Sequence, residues 1–127
     1  MRWLFYAVQY LHGCGVVHRD IKGLNVLLEE RDGKILKLVL VDPGAACAIN
    51  ADGSADNKFG VSRWYRPLEL CYQGEWPVLS HPLAVDIFSL ACTCFEFATG
   101  QILMNGGDDF KQIILILELT YECELGS

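Results

Sequence analysis

Apolar residues recur at spacings of three and four through residues 3–11, at Leu4, Ala7, Val8 and Leu11. That period predicts an amphipathic helix. His12-Gly13-Cys14-Gly15 ends it, because glycine suits the left-handed backbone of a helix terminus. Residues 26–28 and 35–41 are short apolar runs that predict strands. Arg31-Asp32-Gly33-Lys34 between them is a hairpin turn signal. Residues 48–58 are polar, with Asp52-Gly53 as a turn. Residues 67–72 predict a short helix, and residues 76–82, with two prolines, a loop. Residues 83–99 form the longest helical pattern, apolar on nearly all sides, and are expected to be buried all round. Gly100 caps that helix. Asp108 caps the start of a last one, expected to run to about Leu119. These elements predict a mostly helical α+β domain.

Composition adds bounds. The chain has 127 residues, enough for one domain. Its hydrophobic fraction is 52% and its mean hydropathy +0.25, high for a small soluble protein. Either an apolar surface is bared or a small core is well packed, and both readings stay open. The net charge of −6 argues against nucleic acid or an anionic membrane as the main partner. Cys14, Cys47, Cys71, Cys92, Cys94 and Cys123 show no C-x-x-C or metal-finger spacing. Buried, reduced thiols are expected, hence a reducing, intracellular compartment, cytoplasmic or nuclear. No signal peptide is evident, residues 113–119 are too short to cross a bilayer, and Cys123 is misplaced for prenylation.

The candidate chemistry lies in His18-Arg19-Asp20-Ile21-Lys22-Gly23-Leu24-Asn25, followed by an apolar strand. Phosphoryl transfer to a hydroxyl needs such a set on one short loop. An Asp orients or accepts the hydroxyl proton, a Lys reaches the moving phosphoryl, and an Asn offers an amide oxygen to magnesium.

This run resembles the catalytic loop H-R-D-x-K-x-x-N of eukaryotic-type protein kinases. Asp42-Pro43-Gly44 is similar to the family's Asp-Phe-Gly. The segment Ser62-Arg63-Trp64-Tyr65-Arg66-Pro67-Leu68-Glu69 resembles T-R-W-Y-R-A-P-E, a signature of the cyclin-dependent and mitogen-activated kinases. Asp86-Ile87-Phe88-Ser89-Leu90-Ala91-Cys92 resembles D-V-W-S-L-G-C. Residues 104–113 resemble F-P-G-x-x-x-x-D-Q-L. The resemblance covers roughly residues 3–118, and Lys22 favours the Ser/Thr class. It implies the C-terminal lobe of the kinase fold, without the β-rich N-terminal lobe and the last helices. Residues 1–119 would form the partial catalytic domain and residues 120–127 a divergent tail.

The resemblance also implies roles. Asp20 would be the catalytic carboxylate, and Lys22 would neutralise charge on the phosphoryl. Lys22, Asn25, Leu27 and Asp42 would face ATP, with Asn25 and Asp42 holding Mg2+ through hard oxygens. His18 would pack rather than act as a base. Arg19 would receive a phosphate from the activation loop, or else be a surface charge. Ser62 would hydrogen-bond to Asp20 and Lys22. Arg63 and Arg66 would organise the loop or an acidic partner, or else be surface charges, and Asp86 would hold the catalytic-loop backbone. Glu69 would be a buried carboxylate whose arginine partner is missing. The implied partners are a protein substrate or a regulatory protein, with no nucleic acid and no membrane.

The departures point the other way. The 127 residues contain no Gly-rich loop and no Val-Ala-x-Lys strand, the parts that cradle ATP. Positioning supplies up to about 7–11 kcal/mol of such catalysis, so the chain alone is expected to be close to inert. Pro43 in place of Phe is expected to leave the interior underfilled and to push Asp42 toward an extended backbone. The second strand runs one residue long against the family pattern, which predicts a bulge before Asp42. Asn57 and Phe59 replace phosphorylated Thr and Tyr, and Leu68 replaces Pro. The alternative to an enzyme is a noncatalytic, pseudokinase-like remnant that binds a partner protein.

Overall fold

The computed structural model describes residues 1–56, 60–72 and 78–126. Asn57 and Phe59, and part of the expected loop at 76–82, lie outside the described residues. Helix α1 spans Arg2–Gly13 and is capped at Cys14, and the chain turns away at Gly15, φ +70°. Strand β1 (Val16–Val17) pairs with β4 (Cys47–Ala48). Strands β2 (Val26–Arg31) and β3 (Lys34–Leu40) form the hairpin, and β5 (Ala55–Asp56) pairs with β6 (Val78–Leu79). All three ribbons are antiparallel. Helix α2 spans Leu68–Tyr72, α3 Pro82–Thr99 and α4 Asp109–Leu125. The mostly helical α+β reading holds.

Local chemistry explains the boundaries. The hairpin turns on Asp32 and Gly33, both at positive φ, the conformation a two-residue turn needs to match strand twist. β2 runs past Leu28 because Glu29 lies opposite Lys37, an opposite-charge cross-strand pair. The bulge falls between Glu29 and Glu30, not before Asp42. Asp108 accepts from the Lys111 amide at 2.7 Å and so caps α4. That helix continues six residues beyond the expected end, to Leu125 rather than Leu119. Residues 120–125 are exposed and helical.

Three apolar clusters make the core, and α3 contributes to each. Leu90 joins Leu4, Val8, Ile21 and Val26; Val85 joins Val17, Ala55, Val61 and Leu79; Cys92 joins Tyr65, Cys71, Met104 and Ile116. By length and composition α3 could cross a membrane. It also buries Asp86, Ser89 and Thr93, which serve the loops around it. The expectation that α3 is covered on all sides fails. Leu83, Ile87 and Phe95 are 41%, 52% and 37% exposed, and Ala84, Ala91 and Ala98 extend the same stripe. Trp3, Phe5, Tyr6 and Tyr10 of α1 are exposed too. The high hydropathy therefore reflects bared surface as well as core. The isolated chain is expected to self-associate at micromolar concentration and to bind a hydrophobic dye. A single monomeric boundary in sedimentation velocity, without dye binding, would contradict this.

The thiols also depart from expectation. All six are reduced thiols, but Cys14 and Cys123 are exposed and only Cys71 and Cys92 are buried. Burial pushes the Cys92 thiol up to about 12 and the Cys71 thiol up to about 11, so these two are inert.

Candidate active site

The loop from Val17 to Asn25 is shaped by two anchors, one below it and one within it. Below, the carboxylate of Asp86 is fully buried. Its Oδ1 accepts from the Arg19 amide at 2.8 Å, and its Oδ2 from the His18 amide at 2.8 Å. His12 Nε2 lies 2.9 Å from the same Oδ2. This grip holds Arg19 in the left-handed region, at φ 66°. Arg19 is neither a surface charge nor open to solvent. It is 2% exposed, and its guanidinium donates to the carbonyls of Ala45 and Asp56. It thereby ties the loop to the two segments that follow Asp42.

Within the loop, Asn25 is buried and its amide nitrogen donates to the Asp20 carbonyl at 2.8 Å and to Asp20 Oδ2 at 3.0 Å. Ser62 Oγ donates to Asp20 Oδ1 at 2.6 Å, and Lys22 Nζ donates to Ser62 Oγ at 2.9 Å. Lys22 Nζ also stands 3.3 Å from Asp20 Oδ2. Burial works against the charge on Asp20. The Ser62 hydroxyl, Lys22 and Asn25 outweigh it and hold the carboxyl below its usual range. The group is therefore a charged acceptor at neutral pH. His18 is buried; its Nδ1 accepts from the Asp20 amide at 3.3 Å while Nε2 faces the Val41 carbonyl at 3.2 Å. That pattern places the ring proton on Nε2 and leaves no nitrogen for a substrate.

Asp42 follows Val41, whose amide donates to the Asn25 carbonyl at 2.8 Å. Asp42 sits at φ 59°, ψ 67°, so Pro43 does not force it to extend. Three-ten geometry at Pro43–Ala45 and the close Gly44, where a Cβ would stand 3.2 Å from Asp42 Oδ1, go with this turn. Pro43 itself is exposed, which corrects the expectation of an underfilled interior. Pro43→Phe should thus shift stability by less than about 0.5 kcal/mol, as for other surface changes. A thermal melt of both forms checks it, and a midpoint moved by several degrees in either direction would contradict it.

The donor set suits magnesium. Asn25 spends its amide nitrogen on Asp20, which leaves its oxygen for a cation, and Asp42 adds an exposed carboxylate. Magnesium is commonly held by one or two such oxygens together with phosphates. Among the described residues, no cluster of three His, Cys, Asp or Glu forms a closed metal cage. Leu27 is 57% exposed beside Val26, an open apolar face on the same hairpin.

The segment after Ser62 is tied to the start of α4. Arg63 Nε and Arg66 Nη1 meet the same Asp109 Oδ1, at 3.2 and 2.8 Å. Arg63 also donates to the Gly107 carbonyl, and the Trp64 indole to that of Gly106 at 3.1 Å. Underneath, Tyr65 donates its hydroxyl to Glu96 Oε2 at 2.7 Å. Burial and then Glu96 raise the Tyr65 phenol above its ordinary range. Ser89 Oγ reaches the Tyr65 carbonyl at 2.7 Å. Glu69 is exposed, so it carries no buried-charge penalty, contrary to expectation. Sequence reasoning missed His12, Glu96, Asp109 and Gln112. Glu96 had a readable signal, as one of two acids in a largely apolar helix. Gln112, fully buried with its oxygen accepting from the Gly106 amide at 2.9 Å, had none beyond polarity.

Comparison with known proteins agrees with this geometry. Residues 1–124 match the family model of the protein kinase domain. The chain is 38% identical to Cyclin-dependent kinase C-3 of Oryza sativa subsp. japonica, over 94% of its own length and 34% of the relative's. It is 32% identical to Mitogen-activated protein kinase 12 of Mus musculus, over 90% of its length and 28% of the relative's. In the crystal structure of the yeast RNA Pol II CTD kinase CTDK-1 complex, one chain superposes with a TM-score of 0.74 at 27% identity. That match covers 89% of this chain and 34% of the other. The chain thus spans about a third of the length of the relatives it matches.

Proposed function

Because the chain belongs to the protein kinase family and is similar to its cyclin-dependent and mitogen-activated Ser/Thr members, we propose that it carries the acceptor half of a Ser/Thr phosphotransfer site. The observation that carries this reading is the cluster of Asp20, Lys22 and Ser62. An ionised carboxylate stands 2.6 Å from a hydroxyl and 3.3 Å from an ammonium. Asp20 orients a protein hydroxyl and takes its proton as the oxygen attacks. Lys22 offsets the charge that develops beside it. Asn25 and Asp42 would hold Mg2+ through their side-chain oxygens. Magnesium-ATP would supply the γ-phosphoryl group, whose bond to the β-phosphate would break as the bond to the substrate oxygen forms, leaving ADP, with the metal offsetting the phosphate charge. The substrate is a protein, and the compartment intracellular.

The 127 residues include no Gly-rich loop, so the nucleotide has one wall here. The isolated chain is expected to transfer no phosphoryl from magnesium-ATP to mixed Ser/Thr peptides. Turnover above background, lost in Asp20→Ala, would overturn that expectation. The second reading, a noncatalytic binding module, is favoured by the exposed apolar surfaces of α1 and α3.

A further inference from the structure

Asn105-Gly106 is the one place in the chain where an asparagine precedes a glycine; Asn25, Asn50 and Asn57 are followed by Val26, Ala51 and Lys58. Asn105 is exposed, in the irregular segment between α3 and α4, while Gly106 beside it is buried. Packing demands the glycine. A Cβ on Gly106 would stand 2.6 Å from the Gln112 amide nitrogen and 2.7 Å from its Cα, backbone atoms that cannot swing aside. The same bare glycine leaves its own amide nitrogen unshielded by a side chain. Two contacts clamp the Gly106 backbone. Its N–H donates to Oε1 of the fully buried Gln112 at 2.9 Å, and its carbonyl accepts from the Trp64 indole at 3.1 Å. Among the described residues Gln112 Nε2 has no partner, so the clamp on the Gly106 amide is a half-satisfied one.

We propose that Asn105 is a site of deamidation, and that Gln112 sets its rate by holding the Gly106 nitrogen. When that hydrogen bond opens, the nitrogen gives its proton to water and attacks Asn105 Cγ. A new C–N bond forms, the Cγ–Nδ2 bond breaks, and the leaving amine takes up a proton and departs as ammonia. Water then opens the cyclic imide at one carbonyl or the other, leaving aspartate or isoaspartate. Water is the only co-reactant, and the step stands apart from the phosphotransfer reading. Bulkier followers crowd the same attack, which sets Asn105 apart from the β-branched Val26 neighbour of Asn25. Either product puts a carboxylate on the rim of a cavity of about 520 Å³ that Lys22 and Ser62 also line. Isoaspartate also lengthens the backbone by a methylene, which draws Gly106 off Gln112 and Trp64.

The test is peptide mapping by mass spectrometry, on the whole 127-residue chain aged at neutral pH in native buffer and in urea. The native chain should convert at Asn105 about tenfold more slowly than the unfolded one, the effect of one protecting hydrogen bond. Gln112→Met removes the acceptor at similar length and, in the folded variant, should recover most of that factor. Asn105→Gln should abolish the product. No conversion at Asn105 in the native chain while the unfolded chain converts fully would overturn the site. Equal native and unfolded rates, or a folded Gln112→Met variant no faster than the unaltered chain, would overturn the role of Gln112. Should that variant fail to fold, hydrogen exchange of the Gly106 amide in the unaltered chain decides. Protection of about tenfold supports the clamp, and free exchange contradicts it.

Discussion

Asp86→Ala is expected to cost the fold about 3–5 kcal/mol, a large share of what a domain this small possesses. The carboxylate is fully buried and satisfies two backbone amides and a histidine. Removing it leaves the His18 and Arg19 amides without a partner in a buried place, at about 1–3 kcal/mol for each unsatisfied group. The strain at Arg19 then has less to hold it, and the link through Arg19 to Ala45 and Asp56 loosens with it. Asp86→Asn keeps one acceptor and should fall between the two. Urea unfolding followed by circular dichroism measures the effect, and a loss under about 1 kcal/mol for the alanine variant would show that the loop is anchored elsewhere.

Much of this was legible in the sequence, for identifiable reasons. The spacing of Asp20, Lys22 and Asn25 fixes them on one turn, whereas Ser62, 40 residues beyond Lys22, was legible only through the family resemblance. Asp32-Gly33 was readable as a hairpin because few residues accept positive φ at both turn positions. The two-residue ribbons β1–β4 and β5–β6 carry no period, so nothing in the pattern announced them. The exposed stripe on α3 was illegible because composition counts apolar residues but not what covers them. Asp42 defied the proline rule because a backbone preference yields to surrounding turns and contacts. Glu69 was read as buried from its place in a motif, and its exposure depends on neighbours that the motif does not contain.

The second large effect concerns Asp20. If the loop is a phosphotransfer site, its carboxylate acts on the attacking hydroxyl, a contribution of about 10²–10⁴ in rate. Lys22 and Ser62 hold Asp20 charged and oriented, so loss of either should lower the rate by less than loss of Asp20 itself. Stability should respond little, since Asp20 is only partly buried and packs on no apolar cluster. Rate and stability are therefore separable here, unlike at Asp86.

The most direct measurement replaces the matching third of rice Cyclin-dependent kinase C-3 with this chain. Transfer from magnesium-ATP to Ser/Thr peptides is then followed with and without Asp20→Ala. The expected result is measurable turnover that falls by about 10²–10⁴ in the variant, with nucleotide and peptide binding unchanged. A folded chimera that binds both ligands and transfers nothing, or transfers equally well in the Asp20→Ala variant, would contradict the assignment of this loop as a phosphotransfer site.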